Sequence, residues 1–156
     1  MERKDLYDTI KKIMLMKFDF LIKKGYEIIQ IDYTNGPIRL KDKAENLSIT
    51  LRNIKYRREI KLYYVPFQSE TNIVLHNFSI TIWDIKNMEH IEISNFMKIK
   101  HKEEFVQLSL RSFEGTLEEK LDKLLDYIAN ILQKYLMEVL EGGKWIRVPM
   151  DWGGAK

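Results

Sequence analysis

The cationic and aromatic side chains between residues 52 and 63 form the part of the sequence best suited to binding. The cluster consists of Arg52, Lys55, Tyr56, Arg57, Arg58, Lys61 and Tyr63. Cations on two paired strands can neutralise phosphates while tyrosine rings stack on bases. Cations on the wet face of a sheet also prevent edge-to-edge aggregation, and a net charge of +3 is low for a nucleic-acid binder. The solvated face is therefore the favoured interpretation, and a nucleic-acid contact is the alternative.

Tryptophans supply a second set of candidate contact residues. Trp83 ends a run of alternating polar and apolar residues, and Trp145 and Trp152 follow the last apolar stripe of the chain. Tryptophan is enriched in the hot spots of protein interfaces. We expect Trp145 and Trp152 to fold back onto the sheet or the last helix, because each ring buries a large apolar area. If they do not fold back, they form an exposed patch that marks an interface.

Patterns for catalysis or metal binding are not found in the sequence. His76, His90 and His101 lack the i, i+4 spacing of helical zinc ligands, and there is no cysteine. Gly142-Gly143-Lys144 resembles the end of a phosphate loop, but no Ser or Thr follows the lysine. The sequence therefore predicts no catalytic residue, no metal and no cofactor. Whether the protein is an enzyme stays open, because catalytic groups that are distant in sequence can converge in the fold.

Length and composition narrow the class of protein. A chain of 156 residues with 45% hydrophobic residues is typical of one domain with its own core. The lack of cysteine favours the cytoplasm over a secreted, disulfide-stabilised scaffold. No apolar run approaches the roughly 20 residues that cross a bilayer. We therefore expect a single cytoplasmic domain over residues 1–152, a flexible tip at residues 153–156, and no membrane partner.

The elements that must position these residues begin and end with helices. Apolar residues recur at three- and four-residue intervals over residues 6–21, and Gly25 is suited to end that helix. Thr116 and Glu119 form a capping box ahead of a longer apolar stripe, which runs to Gly142. The width of the second stripe predicts contact with both the sheet and the first helix.

The segments between the helices alternate with a period of two, which is typical of strands with one buried face. The predicted strands cover residues 26–33, 38–41, 47–52, 60–64 and 78–83, and residues 106–110 form either a strand or a helical turn. Pro66 is expected to end the fourth strand, and residues 84–104 to form a connection with a short helix. We predict an α+β fold, in which an antiparallel sheet of about five or six strands is flanked by an N-terminal helix and a long C-terminal helix.

Three segments carry a resemblance to known proteins: residues 18–26, with the sequence FDFLIKKGY, residues 57–60, with RREI, and residues 132–145. Their order resembles that of small bacterial helix, antiparallel meander and helix proteins, some of them immunity proteins of polymorphic toxin systems. The resemblance covers most of the chain and supplies no catalytic residue. Our leading hypothesis is a non-catalytic protein-binding domain, which the lack of a reaction centre and the tryptophans at positions 83, 145 and 152 favour. The resemblance implies that this domain is an immunity-like inhibitor of a partner protein. Its candidate contacts are the cluster at residues 52–63 with Trp145 and Trp152, and nucleic-acid binding through that cluster is the alternative.

Overall fold

The structure, a computed structural model, describes residues 3–35, 45–68 and 74–149. In chain order the elements are α1 (Arg3–Lys17), α2 (Asp19–Lys23), β1 (Glu27–Asn35), β2 (Glu45–Asn53), β3 (Arg58–Gln68), β4 (Val74–Asp84), β5 (Glu89–Glu92), α3 (Ile93–Lys100), α4 (Leu117–Tyr135) and α5 (Met137–Leu140). The strands form one antiparallel sheet in the order β1-β2-β3-β4-β5. Each strand therefore lies beside the strand that precedes it, and the predicted α+β fold is confirmed.

The alternation of residue types divides the sheet into two faces. Leu47, Ile49 and Leu51 of β2 are completely buried and share one core with the helices. Successive side chains of a strand point to opposite faces, so Ser48 and Arg52 lie on the other side. The helices thus form one layer and the sheet a second layer.

The N-terminal helix is interrupted once before the sheet begins. Phe18 separates α1 from α2, and its ring stays completely buried. Lys17 lies 3.3 Å from both Asp122 and Asp126 of α4, which joins the two helices at the surface. Gly25 then adopts a φ of 99°, as expected of the residue that ends this helical segment.

The predicted apolar stripe of the C-terminal helix is confirmed, as is the Thr116 half of the capping box, while the Glu119 carboxylate contacts the Thr116 hydroxyl. The Thr116 hydroxyl accepts a hydrogen bond from the Glu119 amide at 3.3 Å and donates one to the Glu119 carboxylate at 3.1 Å. The stripe packs against α1 and the sheet. A break at Leu136 divides the predicted single helix into α4 and α5, and Gly142 follows with a φ of 81°.

The strands and connections also differ in detail from the sequence-based expectations. Pro66 does not end its strand, because β3 continues to Gln68 with Pro66 opposite His76. The pairing of β3 with β2 stops at Tyr64, so a missing N–H at Pro66 interrupts no described hydrogen bond on that side. The connection over residues 84–104 contains the expected helix but also β5. Of the strand and the helical turn considered for residues 106–110, the structure has a short 3₁₀ turn, which lies at residues 110–112.

Some expectations fall outside the described residues. These are the strand at residues 38–41, the contact by Trp152 and the tip at residues 153–156. Within the described ranges, no helix combines the length and the hydropathy that a membrane span requires.

Candidate partner-binding surfaces

The β2–β3 hairpin separates the cluster at residues 52–63 into three places. Arg52, Lys61 and Tyr63 lie on the side of the sheet away from the helices, according to the strand register. Lys55, Tyr56 and Arg57 lie in the turn at residues 54–57. Arg58 has the same parity as Ile60, so its side chain enters the interior. The cluster is therefore not one continuous basic surface.

Arg58 is an internal structural residue. Its guanidinium donates to the carbonyl oxygens of Val139 at 2.9 Å and Gly143 at 3.2 Å. The same group lies 3.4 Å from Asp84 and 5.2 Å from the ring centroid of Trp145. Only 6% of Arg58 is exposed, so a partner has almost no access to it. This position removes Arg58 from the expected contact surface.

Asp84, the last residue of β4, neutralises the charge of Arg58. Its carboxylate accepts hydrogen bonds from the Lys86 amide at 3.1 Å and from the Asn87 side chain at 3.0 Å. Burial raises the pKa of Asp84, but hydrogen bonds from Asn87 and the charge of Arg58 outweigh that effect and hold the pKa below its usual value. Arg58 and Asp84 therefore form a buried ion pair that joins two turns.

The segment after α5 folds back onto the protein, as expected for Trp145. Trp145 packs against the core and is partly buried. Farther along, Asn95 donates to the carbonyl of Pro149 at 3.0 Å, and Arg147 lies 3.1 Å from Glu89. These contacts make Trp145 a packing residue that covers Arg58.

The uncovered side of the sheet is the larger candidate surface, and we call it the open face. It is formed by Glu27, Gln30, Asp32, Ser48, Thr50, Arg52, Glu59, Lys61, Tyr63, Ser79, Thr81, Trp83, His90 and Glu92. No helix in the described part of the chain packs on this side.

Trp83 is held in one orientation on the open face. Its indole N–H donates to the Thr81 hydroxyl at 3.1 Å. The His90 ring stacks on it at 4.7 Å, and the Lys61 ammonium lies 5.5 Å from its ring centroid. Trp83 therefore presents a fixed, partly exposed aromatic surface.

The charges of the open face are mostly negative. Arg52 donates to the Glu59 carboxylate at 2.6 Å, so part of its charge is already neutralised. The face carries four carboxylates and two cations, namely Glu27, Asp32, Glu59, Glu92, Arg52 and Lys61. This balance opposes a polyanionic ligand.

A second cluster joins the loop after α3 to the C-terminal helix. The Glu104 carboxylate accepts hydrogen bonds from Lys134 at 2.8 Å and from the Tyr135 hydroxyl. The His101 ring stacks on Tyr135 at 3.6 Å. The hydrogen bonds from Lys134 and Tyr135 lower the pKa of Glu104. Because Glu104 is exposed, the cluster is a surface link between loop and helix.

One cleft and the grouping of possible metal ligands can be assessed in the described part of the chain. A cleft of about 290 Å³ is lined by Phe78, Ser94, Lys98, Phe105, Gln107 and Leu108. This volume is at the lower limit of small-molecule sites, and the Lys98 ammonium already lies 5.3 Å from the Phe105 ring. Across residues 3–35, 45–68 and 74–149, no three His, Asp or Glu residues are grouped to bind a metal ion.

The fold and its uncovered face define a two-layer α+β protein with an antiparallel meander. No protein-family model matches the chain, and neither a curated protein nor a solved structure matches it. Sequence reasoning identified Trp83 but not its contacts with Thr81 and His90, because strand register brings these residues together.

Proposed function

We propose that the protein is a non-catalytic binding domain that presents the open face to another protein, as an immunity-like inhibitor would. The observation that carries this proposal is Trp83, which is fixed by Thr81 and His90 on a surface without a covering helix. Tryptophan dominates many interface hot spots. A side chain that is already immobilised also loses little conformational entropy when a partner binds.

The neighbours of Trp83 support a protein partner. Tyr63 is 37% exposed, and on the adjoining strand β4 it is opposite Ser79, which is followed on the same face by Thr81 and Trp83. Aromatic rings and small hydroxyl residues are also enriched in antibody binding surfaces, where tyrosine and tryptophan supply rigid contact area. An inhibitor of this kind acts by covering a site on its partner, so it needs a rigid preformed surface and no reaction centre.

The distribution of charge gives less support to nucleic-acid binding. Of the five cations in the cluster, Arg58 is internal and Arg52 is engaged by Glu59. Lys55 and Arg57 project from a turn, so only Lys61 lies on the open face without a carboxylate opposite it in the register. The excess of carboxylates on the face instead favours a partner with a cationic rim.

The test is affinity capture of the tagged protein from lysate of its native cells, with and without nuclease. We expect a stoichiometric protein partner that resists nuclease. The purified partner should then bind Trp83→Ala at least about 30-fold more weakly, because a hot-spot truncation costs about 2 kcal/mol or more. Tyr63→Asp is the second variant and should also weaken partner binding. Because the Tyr63 side chain is partly exposed, its replacement leaves the core intact.

Met16→Ala is the matched control, because Met16 is 62% exposed on α1 in the helical layer. It should bind the partner as tightly as the unchanged protein does. Unfolding curves of all variants verify that they are folded. The proposal would be refuted if Trp83→Ala and Tyr63→Asp both bound the partner as tightly as the unchanged protein does. Recovery of nucleic acid alone would also refute it.

A further inference from the structure

Two hairpin turns lie side by side at one end of the sheet, and we call them the turn end. They comprise residues 54–57, between β2 and β3, and residues 85–88, between β4 and β5. Arg58 is opposite Asp84 in the strand register, and the Ile85 amide donates to the Arg57 carbonyl at 3.1 Å. The ion pair between Arg58 and Asp84 lies beneath them. The turns are therefore fixed relative to each other.

Each turn exposes one large apolar side chain. Ile54 is 79% exposed and Met88 is 70% exposed, the highest values among the large hydrophobic residues that the structure describes. Such turns usually carry Gly, Asn, Asp, Ser or Pro. Neither side chain belongs to the buried core, so both are available to a surface outside the protein.

Three cations lie in the same two turns as these apolar side chains. The eight residues include Lys55, Arg57 and Lys86, all exposed, and no carboxylate. Of the neighbouring carboxylates, Asp84 pairs with Arg58 and Glu89 with Arg147, while Glu27 lies beside Ile54 and Lys55 at the edge of the first turn. The turn end is therefore both basic and apolar, in contrast to the open face.

The backbone at both turns favours glycine but carries larger residues. Arg57 has a φ of 57° and Met88 a φ of 56°. This left-handed conformation is uncommon for residues other than glycine, asparagine and aspartate. The left-handed position is therefore occupied by the cation Arg57 in the first turn and by the apolar Met88 in the second turn.

We propose that the turn end binds the surface of an anionic membrane. Ile54 and Met88 insert at the level of the headgroups, while Lys55, Arg57 and Lys86 contact lipid phosphates. Apolar side chains flanked by cations match the interface, where phosphates adjoin the acyl region. A lipid surface can accept two projecting turns without preformed pockets. A protein partner would need a separate complementary pocket for each turn. This inference is independent of the partner bound by the open face, and it departs from the sequence-based expectation that the protein has no membrane partner.

The test is cosedimentation of the purified protein with vesicles. We expect binding to vesicles of phosphatidylglycerol mixed with phosphatidylcholine and little binding to phosphatidylcholine alone. Added salt should weaken the binding because it screens the cations. Replacing Ile54 and Met88 together by Ser should reduce the partition coefficient at least about tenfold, as burial of a large apolar side chain is lost.

Ile31→Ser is the matched control, because Ile31 is 37% exposed on β1 and pairs with Ile49, away from the turns. It should bind vesicles unchanged, and so should Trp83→Ala, which separates this inference from the open-face proposal. No binding to either vesicle would overturn the inference. Binding that depends on the cations but not on Ile54 and Met88 would also overturn it. So would a loss of affinity of the double variant for a captured protein partner without any change in vesicle binding.

Discussion

Arg58 is the residue at which the hairpin turns and the C-terminal segment meet. A buried guanidinium is tolerated only when its charge is paired and its N–H groups are satisfied. Asp84 provides the charge, and Val139 and Gly143 provide carbonyl acceptors. The covering ring of Trp145 completes the site. The arrangement fixes both the base of the turn end and the path of the chain after α5.

The buried Asp84 carboxylate predicts a specific loss of stability in acid. Its pKa is lower in the folded protein than the value of about 3.9 in an unfolded chain. Ionised Asp84 therefore stabilises the fold above about pH 4, and this contribution is lost as the pH falls through the folded pKa. Asp84→Asn should be less stable near neutral pH and should lose less free energy of unfolding on acidification.

Urea unfolding at a series of pH values measures this effect. Asp32→Asn is the control, since Asp32 lies on the open face outside the buried pair, and it should keep the acid response of the unchanged protein. Parallel stability curves for Asp84→Asn and the unchanged protein would show that Asp84 does not carry the predicted linkage.

The internal position of Arg58 was only partly legible in the sequence. Arg58 stands two residues before Ile60, so strand parity alone places both on one face once β3 begins at Arg58. The predicted strand began only at residue 60, so the sequence placed Arg58 in the connection before it. Its acceptors at Val139 and Gly143 are distant in sequence and depend on how α5 ends, which no local pattern reveals.

Among the secondary-structure elements, the helical segment α4–α5 is followed by Gly142. This glycine also allows Tyr56 to approach closely. Its φ is 81°, and an added Cβ would lie 3.1 Å from Cδ1 of Tyr56. Gly142→Ala should therefore lower the free energy of unfolding by about 1–2 kcal/mol, the usual cost of left-handed backbone in other residues. Gln133→Ala on the exposed side of α4 is the control, because alanine suits helices. A denaturation midpoint of Gly142→Ala equal to that of the control would contradict this reason.

Elements with strong local signals were predictable, and those set by neighbours were not. Thr116 with Glu119, and the alternation over residues 47–52, specify a helix start and a strand without reference to the rest of the chain. β5 has only four residues, too few to show a period, and it forms because β4 offers a free edge. Pro66 is tolerated in β3 because the pairing with β2 ends at Tyr64.

At the scale of the molecule, the described residues present two distinct surfaces, the side of the sheet that no described helix covers and the end where the two hairpin turns lie. The open face gathers Trp83 and His90 from adjoining strands, while the turn end joins Ile54 and Met88 from separate hairpins. Each member was visible in the sequence, but its neighbours depend on strand order and register. The basic cluster was therefore recognisable as a group of residues, and its division into surface and interior was not.

The shared core predicts that the sheet and helices unfold together, as the single domain expected from the sequence would. Tyr7 of α1 contacts Tyr64 of β3 with ring centroids 5.9 Å apart, and the Tyr26 hydroxyl donates to the Leu140 carbonyl at 2.6 Å. Urea transitions followed by tryptophan fluorescence and by far-ultraviolet circular dichroism should therefore coincide. Leu124 occupies a fully buried position of α4. Leu124→Ala should lower the free energy of unfolding by about 2–5 kcal/mol, and the two spectroscopic signals should report the same decrease. Separate transitions would mean that the helical layer and the sheet are independent units.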